Sequence, residues 1–144
     1  MHGHIILKDK LNNILVDKDN LILTAGRELL RDLFASYISA TKAPSTFSKI
    51  DVKFGMSSSI PTANDTVKVL GSTTGTAVID SIEILSGGTL GIKFTIRITQ
   101  GKLQNLLEFN SLGIVINNNL ISRIIFEKLP LGTQTYTLDY YLYF

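Results

Sequence analysis

Cysteine and tryptophan are absent from this chain, and charged residues make up only 18% of its 144 residues. Without cysteine there is no disulfide, no thiolate metal site and no cysteine nucleophile. The share of charge lies below the ~25% of an average domain, which favours a well-packed fold over disorder. A surface with so little charge is also expected where neighbouring molecules cover part of it.

Neither sign of charge is concentrated along the chain. The formal net charge is +2, and the 14 Lys and Arg residues are scattered singly, without the basic cluster typical of nucleic-acid binding. The N-terminal stretch MHGHIILKDK lacks the features of a signal peptide, and no apolar run approaches the ~20 residues of a membrane span. We therefore expect a soluble protein, made in a cytoplasm, with no nucleic-acid partner and no membrane partner.

Most of the chain alternates between apolar and polar residues, which predicts β-strands. The alternation predicts a hairpin over residues 4–17 and strands over 49–144, with a turn at 117–119. One segment has helical spacing instead and predicts a helix over 25–40, with Thr24 as its N-cap and Glu28 in its first turn. Residues 1–144 are thus predicted to form one mainly β domain, an antiparallel β-sandwich or barrel of about seven to eight strands with one α-helix packed on it.

The motifs for catalysis are missing or fail at a required position. Residues 17–20, DKDN, begin like a calcium loop, but Ile22 stands where that loop requires glycine, so we predict a turn leading into the helix. The serines Ser57, Ser58 and Ser59 lack a G-x-S-x-G context and a nearby histidine. Paired carboxylates stay open, although most acids lie in predicted turns or on outer faces. We predict no catalytic residue, no cofactor and no enzyme.

The chain has two histidines, His2 and His4, in an H-x-H pair. On a strand both side chains would point the same way and could bind a metal across a symmetric assembly. The alternative is two solvated residues at a frayed terminus, which is the interpretation we favour. No metal is predicted.

The C-terminal strand TQTYTLDYYLYF has one apolar face and one mixed face. The apolar face is predicted to point into the core; its residues are Tyr136, Leu138, Tyr140, Leu142 and Phe144. The other face begins polar and ends in Tyr141 and Tyr143. Because folding alone does not obviously cover these two tyrosines, we predict that they face the helix or a neighbouring subunit.

Four segments, taken in order, resemble a group of small bacteriophage virion proteins known as tail, tail-fibre or minor structural proteins. They are HIILKDKLNNILVDKDN at 4–20, DNLILTAGRELLRDLF at 19–34, IDVKFGMSSSIPTANDTVKVLG at 50–71, and LEFNSLGIVINNNLISRIIFEKLPLGTQTYTLDYYLYF at 107–144. The resemblance covers residues 4–144. It departs from the usual pattern at LEFNSLG and at Glu127-Lys128, where relatives carry other residues.

The resemblance implies a structural role in a phage particle, without catalytic residues. We expect a symmetric homo-oligomer in the tail, neck or fibres, located in the virion after synthesis in the host cytoplasm, with other virion proteins as partners. The interface candidates are Tyr141, Tyr143, Ser57, Ser58, Ser59 and Ile60. The alternative is a lectin-like β-sandwich that binds host glycans through its tyrosines and its Ser/Thr/Asn loop at 55–66; the absence of Trp weighs against it.

Overall fold

Eight antiparallel strands close into a barrel in the computed structural model, which describes residues 2–39, 50–70, 74–88, 90–99 and 106–144. The strands are β1 (His2–Asp9), β2 (Ile14–Ile22), β3 (Ile50–Gly55), β4 (Thr74–Leu85), β5 (Gly91–Thr99), β6 (Glu108–Ile116), β7 (Asn119–Pro130) and β8 (Thr135–Tyr143). Around the barrel they follow the order β1-β2-β7-β6-β3-β4-β5-β8. The mainly β prediction is confirmed, and of the two architectures the chain forms the barrel.

One α-helix, α1 (Thr24–Ser39), lies in the described part of the chain, together with a short 3₁₀ helix (Val67–Leu70) that the sequence did not predict. The predicted helix, 25–40, is therefore confirmed with its start one residue earlier; residue 40 lies outside the described residues. Because the helix begins at Thr24, its first turn contains no acid, and the placement of Glu28 in that turn was wrong. The single-domain prediction for 1–144 stays a prediction.

Thr24 does not cap the helix. The carbonyl of Leu23 accepts the first helical hydrogen bond, from Arg27 at 3.2 Å. The Thr24 hydroxyl instead donates to Asn64 Oδ1 at 3.2 Å, and its backbone N–H donates to the carbonyl of Ala63 at 2.8 Å. Both bonds fix the start of α1 to the loop after β3, a tertiary contact that no local pattern contains.

The predicted hairpin over residues 4–17 is longer in the structure, because β1 and β2 extend it to Ile22. The DKDN stretch at 17–20 belongs to β2, where Asp17 pairs with Ile6 and Asp19 pairs with His4 of β1. The prediction of a turn there was wrong. Cross-strand pairing overrides the local preference of Asp and Asn for turns.

The barrel interior is filled by the apolar side of each strand. On β5, Phe94, Ile96 and Ile98 are buried as the alternation predicted, and each buried side chain of this size contributes about 1.5–3 kcal/mol. Opposite β4, the Phe54 ring occupies the space over Gly75, whose missing Cβ would lie 2.1 Å from Phe54 Cζ. Glycine at this position therefore leaves room for the Phe54 ring.

The turn between β6 and β7 confirms the predicted hairpin. Asn117 and Asn118 have φ angles of 49° and 66°, as a two-residue turn of the hairpin type requires, and Asn119 begins β7. On β8, Tyr136, Leu138, Tyr140 and Leu142 are buried as predicted. The prediction that Phe144, the fifth residue of that face, points into the core was wrong.

Phe144 is 59% exposed and does not reach the core. It follows the last residue of β8, and its backbone N–H donates to the carbonyl of Leu90 at 3.1 Å. The alternation was correct along β8, but the barrel ends one residue before the chain does.

A second, smaller core lies outside the barrel wall, between β6, β7, α1 and the 3₁₀ helix. Its buried residues are Leu23, Leu70, Val115 and Leu120. At Gly26 the helix approaches β7 so closely that an added Cβ would lie 2.6 Å from Ile121 Cγ2. The helix and the loop after β3 therefore cover the β6–β7 side, whereas the described residues leave the outer face of β1, β8 and β5 to solvent.

Candidate functional site

The exposed face carries a cluster that we call the tyrosine surface: His2, His4, Lys93, Tyr141 and Tyr143. Strand β8 lies between β1 and β5, so the register places His4 and Lys93 on either side of Tyr141. In the neighbouring row His2 lies beside Tyr143. These side chains share one face because successive residues of a strand point to opposite sides.

The two tyrosine rings of this surface are nearly parallel, with centroids 5.9 Å apart and planes inclined by 10°. The His2 ring lies 4.8 Å from that of Tyr143, and Lys93 Nζ lies 5.6 Å from the centre of the Tyr141 ring. Gly91 of β5 lies beside Tyr143, and a Cβ there would come within 3.1 Å of Tyr143 Cδ1. The result is a half-exposed pair of stacked tyrosine rings, held on strand β8 between two paired neighbours.

Two neighbours were predicted for Tyr141 and Tyr143, the helix or another subunit. The described part of α1 packs on β7, whereas the two tyrosines contact β1 and β5. The helix is therefore not the neighbour that the structure shows, and the subunit interface stays a prediction.

A buried carboxylate lies on the same face. Asp139 is 7% exposed and contacts Lys8 Nζ at 3.2 Å and Lys93 Nζ at 3.5 Å. Burial alone would lower the pKa of Lys93, but the charge of Asp139 and the contact with Tyr141 outweigh it and raise that pKa. Lys93 thus stays charged above the tyrosine ring, where a cation is attracted to the aromatic face.

His4 is held by two carboxylates of β2. Its Nδ1 lies 2.7 Å from Asp19 Oδ1, and its Nε2 lies 2.8 Å from Asp17 Oδ1. Only an imidazolium can donate to both at once. The hydrogen bond to Asp19 raises the pKa of His4, burial opposes this, and Asp17 adds to the increase.

The histidines are therefore not at a frayed end, because both lie within β1. In the part of the chain that the structure describes, no group of three or more His, Cys, Asp or Glu side chains is arranged to hold a metal ion.

The remaining interface candidates lie in the serine loop, residues 56–66 between β3 and the 3₁₀ helix. Arg123 of β7 lies beneath it. Its Nη2 donates to Ser57 Oγ at 2.6 Å and to the carbonyl of Ser59 at 2.7 Å. Ser57 and Ser59 thus bind their own barrel, although Ser59, like Ser58, is exposed, and Ile60 is 81% exposed.

Arg123 was missed by the sequence interpretation. It is the only charged residue in the apolar stretch LISRIIF, a signal that could have marked it. Its Nη1 donates to Asp65 Oδ2 at 2.6 Å. Burial tends to raise the pKa of Asp65, but hydrogen bonds from Thr62 and the charge of Arg123 outweigh it and lower that pKa.

Comparison with known proteins assigns no relative to this barrel: no family model, no curated protein and no solved structure matches the chain. Among the described residues, no helix is long and apolar enough to cross a membrane. The structure itself therefore gives the class of protein: an eight-stranded antiparallel barrel, which carries the tyrosine surface on its outer face.

Proposed function

We propose that this chain is a structural component of a bacteriophage virion. It acts as a tail, neck or fibre-attachment adaptor, through protein–protein contacts and as a symmetric oligomer. The observation that carries the proposal is the order of its segments over residues 4–144, which resembles that of small virion proteins.

The tyrosine surface supports this role, since it has the composition of a protein interface. Aromatic side chains are enriched at the centres of interfaces, and tyrosine is among the residues that contribute most to binding. Tyr141 and Tyr143 are already ordered by each other and by the histidines, so little conformational entropy is lost when a partner covers them. Around a two-fold axis the same surface would meet its own copy.

Mass spectrometry of purified particles tests the role directly. The chain is expected in particles in a fixed ratio to the other structural proteins. Its absence from particles that infect normally would exclude the proposal.

The proposed interface is tested separately, by light scattering on the isolated protein. We expect Tyr141→Ala and Tyr143→Ala to weaken the oligomer by about 30-fold or more, the effect of losing roughly 2 kcal/mol at a central residue. Thr137→Ala, on the same face of β8, is the matched control and should leave the oligomer intact. An oligomer that both alanine variants preserve would place the interface elsewhere.

Glycan binding is the second candidate, and the parallel rings of Tyr141 and Tyr143 favour it. The exposed part of an aromatic pair offers the apolar side of a sugar ring a surface to pack on. If the alternative holds, a glycan array shows a signal that Tyr141→Ala abolishes and Tyr141→Phe retains. A silent array, together with a tyrosine-dependent oligomer, leaves the adaptor role.

A further inference from the structure

The barrel wall opens between β2 and β7. Within the described residues these strands pair only at Leu21 with Arg123 and at Ile22 with Ser122. Beyond that point they separate, and a cleft of about 360 Å³ lies between residues 15–18 of β2 and 126–129 of β7. Both segments still belong to strands. On the far side, residues 16–18 of β2 pair with β1, and β7 pairs with β6 at Ile125 and at Leu129, on either side of a register shift.

Backbone groups of both strands point into this cleft. Leu23 N–H donates to the carbonyl of Ile121 at 2.8 Å, which fixes the side that faces the opposite strand. Since alternate residues of a strand face the same side, Asp19 and Asp17 direct their N–H and C=O groups toward β7. On β7 the carbonyl of Ile125 faces the cleft.

A side chain already takes one of these positions: Lys18 Nζ donates to the carbonyl of Ile125 at 3.1 Å. An amino group thus stands where the N–H of a neighbouring strand would otherwise bind. The contact is exposed, so a competing backbone donor can replace it at low cost.

The lining of the cleft indicates the chemistry of its occupant. Val16, Phe126 and Leu129 are half-buried against the barrel core and form an apolar floor. The charged residues balance, two acids against two bases: Asp17, Glu127, Lys18 and Lys128. Because the cleft is neutral, it fits an uncharged segment. Because it lies between two strand edges and has an apolar floor, that segment would be extended, with apolar side chains on the side that faces the floor.

We propose that this cleft binds an extended, uncharged segment of another protein, which adds as a β-strand between β2 and β7. Main-chain hydrogen bonds to the two edges supply affinity, and alternate side chains on the floor supply specificity. Lys18 leaves the Ile125 carbonyl when the segment enters. The inference deepens the proposed adaptor role and rests on it only in assigning the segment to another virion protein.

The test uses a capped peptide of about eight residues that alternates valine and threonine, added to the full chain. Hydrogen exchange is expected to slow at the amides of Asp17 and Asp19, which face the cleft, and calorimetry should give a saturable signal. A matched peptide with proline at two central positions lacks the required N–H groups and should do neither.

Two variants with opposite effects distinguish strand addition from non-specific adsorption. Lys18→Ala frees the Ile125 carbonyl and should tighten peptide binding about threefold to tenfold, the value of one hydrogen bond, while Lys18→Arg stays near the wild type. Asp17→Pro removes an edge N–H and should weaken binding by about the same factor or more. Asp17→Asn, which removes the charge but keeps that N–H, should weaken binding less than Asp17→Pro does.

Failure to bind the peptide, with the barrel intact by circular dichroism, overturns the proposal. So does binding that both Lys18→Ala and Asp17→Pro leave unchanged. If Asp17→Pro abolishes self-association and no peptide binds, the occupant is a second copy, which also overturns it. None of these outcomes depends on whether the chain is found in particles, so the two proposals fail separately.

Discussion

Arg123 and Asp65 form a buried ion pair that joins the serine loop to the barrel wall. Arg123 is 1% exposed, its Nη1 donates to Asp65 Oδ2 over 2.6 Å, and the two residues are brought together from β7 and from the loop after β3. Removal of one partner would leave a buried charge uncompensated. The pair therefore holds the loop over β7, and with it the start of α1.

We expect Arg123→Ala to lower the free energy of unfolding by about 3 kcal/mol, because Asp65 loses its counter-charge and Ser57 and Ser59 lose a charged donor. Chemical denaturation gives the value. Arg27→Ala, an exposed arginine on α1, is the matched control and should change it by about 0.5 kcal/mol or less. Equal effects of the two variants would contradict the prediction.

Asp65 should make the protein sensitive to acid. Its pKa is lowered in the folded state from the ordinary value of 3.8, so its contribution to stability is present above that value and is lost as pH falls through the folded pKa. Unfolding measured from neutral pH to about pH 2 should show this loss in the wild type. In Arg123→Ala the loss should be smaller, because part of its cause is gone.

His4 gives the opposite dependence. Its pKa is raised from the ordinary 6.5, so its contribution to stability is present below that value and is lost as pH rises through the folded pKa. We expect the stability advantage of the wild type over His4→Asn to shrink from pH 6 to about pH 9.

Histidine proton resonances measured by NMR should place the midpoint of His4 above 6.5. The matched control is His2→Asn, which should keep the pH dependence because His2 lies beside Tyr143 and not between carboxylates. A His4 midpoint at or below 6.5 would show that the two aspartates do not hold the imidazolium.

Tyr140 and Ser122 form a buried hydrogen bond across the barrel, in which the tyrosine hydroxyl donates to Ser122 Oγ at 2.8 Å. Tyr140→Phe leaves the serine oxygen without this donor and should cost about 1–3 kcal/mol. The double variant with Ser122→Ala should recover about 0.5–1.5 kcal/mol of the summed losses. Strict additivity in this thermodynamic cycle would mean that the bond contributes nothing.

Gly75 should tolerate no side chain while Phe54 is in place. An added Cβ would lie 2.1 Å from Phe54 Cζ, so Gly75→Ala is expected to destabilise the barrel by about 1–3 kcal/mol. Gly88→Ala is the control, since nothing lies within 4 Å of the Cβ position there. Thermal denaturation should show Phe54→Leu restoring part of the loss; no recovery would point to a different cause.

The regular alternation of β5 and the paired asparagines before β7 were sufficient to predict strands, a hairpin and a core, because both patterns are local. The same logic failed at residues 17–20, where Asp and Asn form part of β2. These residues form a strand because they pair with β1, and the local residue preferences do not predict that pairing.

Among the interface candidates, too, some placements could be predicted from the sequence and others could not. Tyr141 and Tyr143 were identified from their face of β8, because alternation fixes a side of the strand. Which serines bind the barrel was not predictable, since Ser57 and Ser59 are held by Arg123, which lies more than sixty residues later.

The sequence by itself determined the mainly β class, the helix position and which side of each strand is apolar, since these follow from spacing along the chain. The tertiary structure alone decided barrel over sandwich, the burial of Arg123 under the serine loop, the carboxylates around His4 and the cleft between β2 and β7. Each of these depends on which strands become neighbours. That order is selected by the packing of the whole core, so no segment contains it.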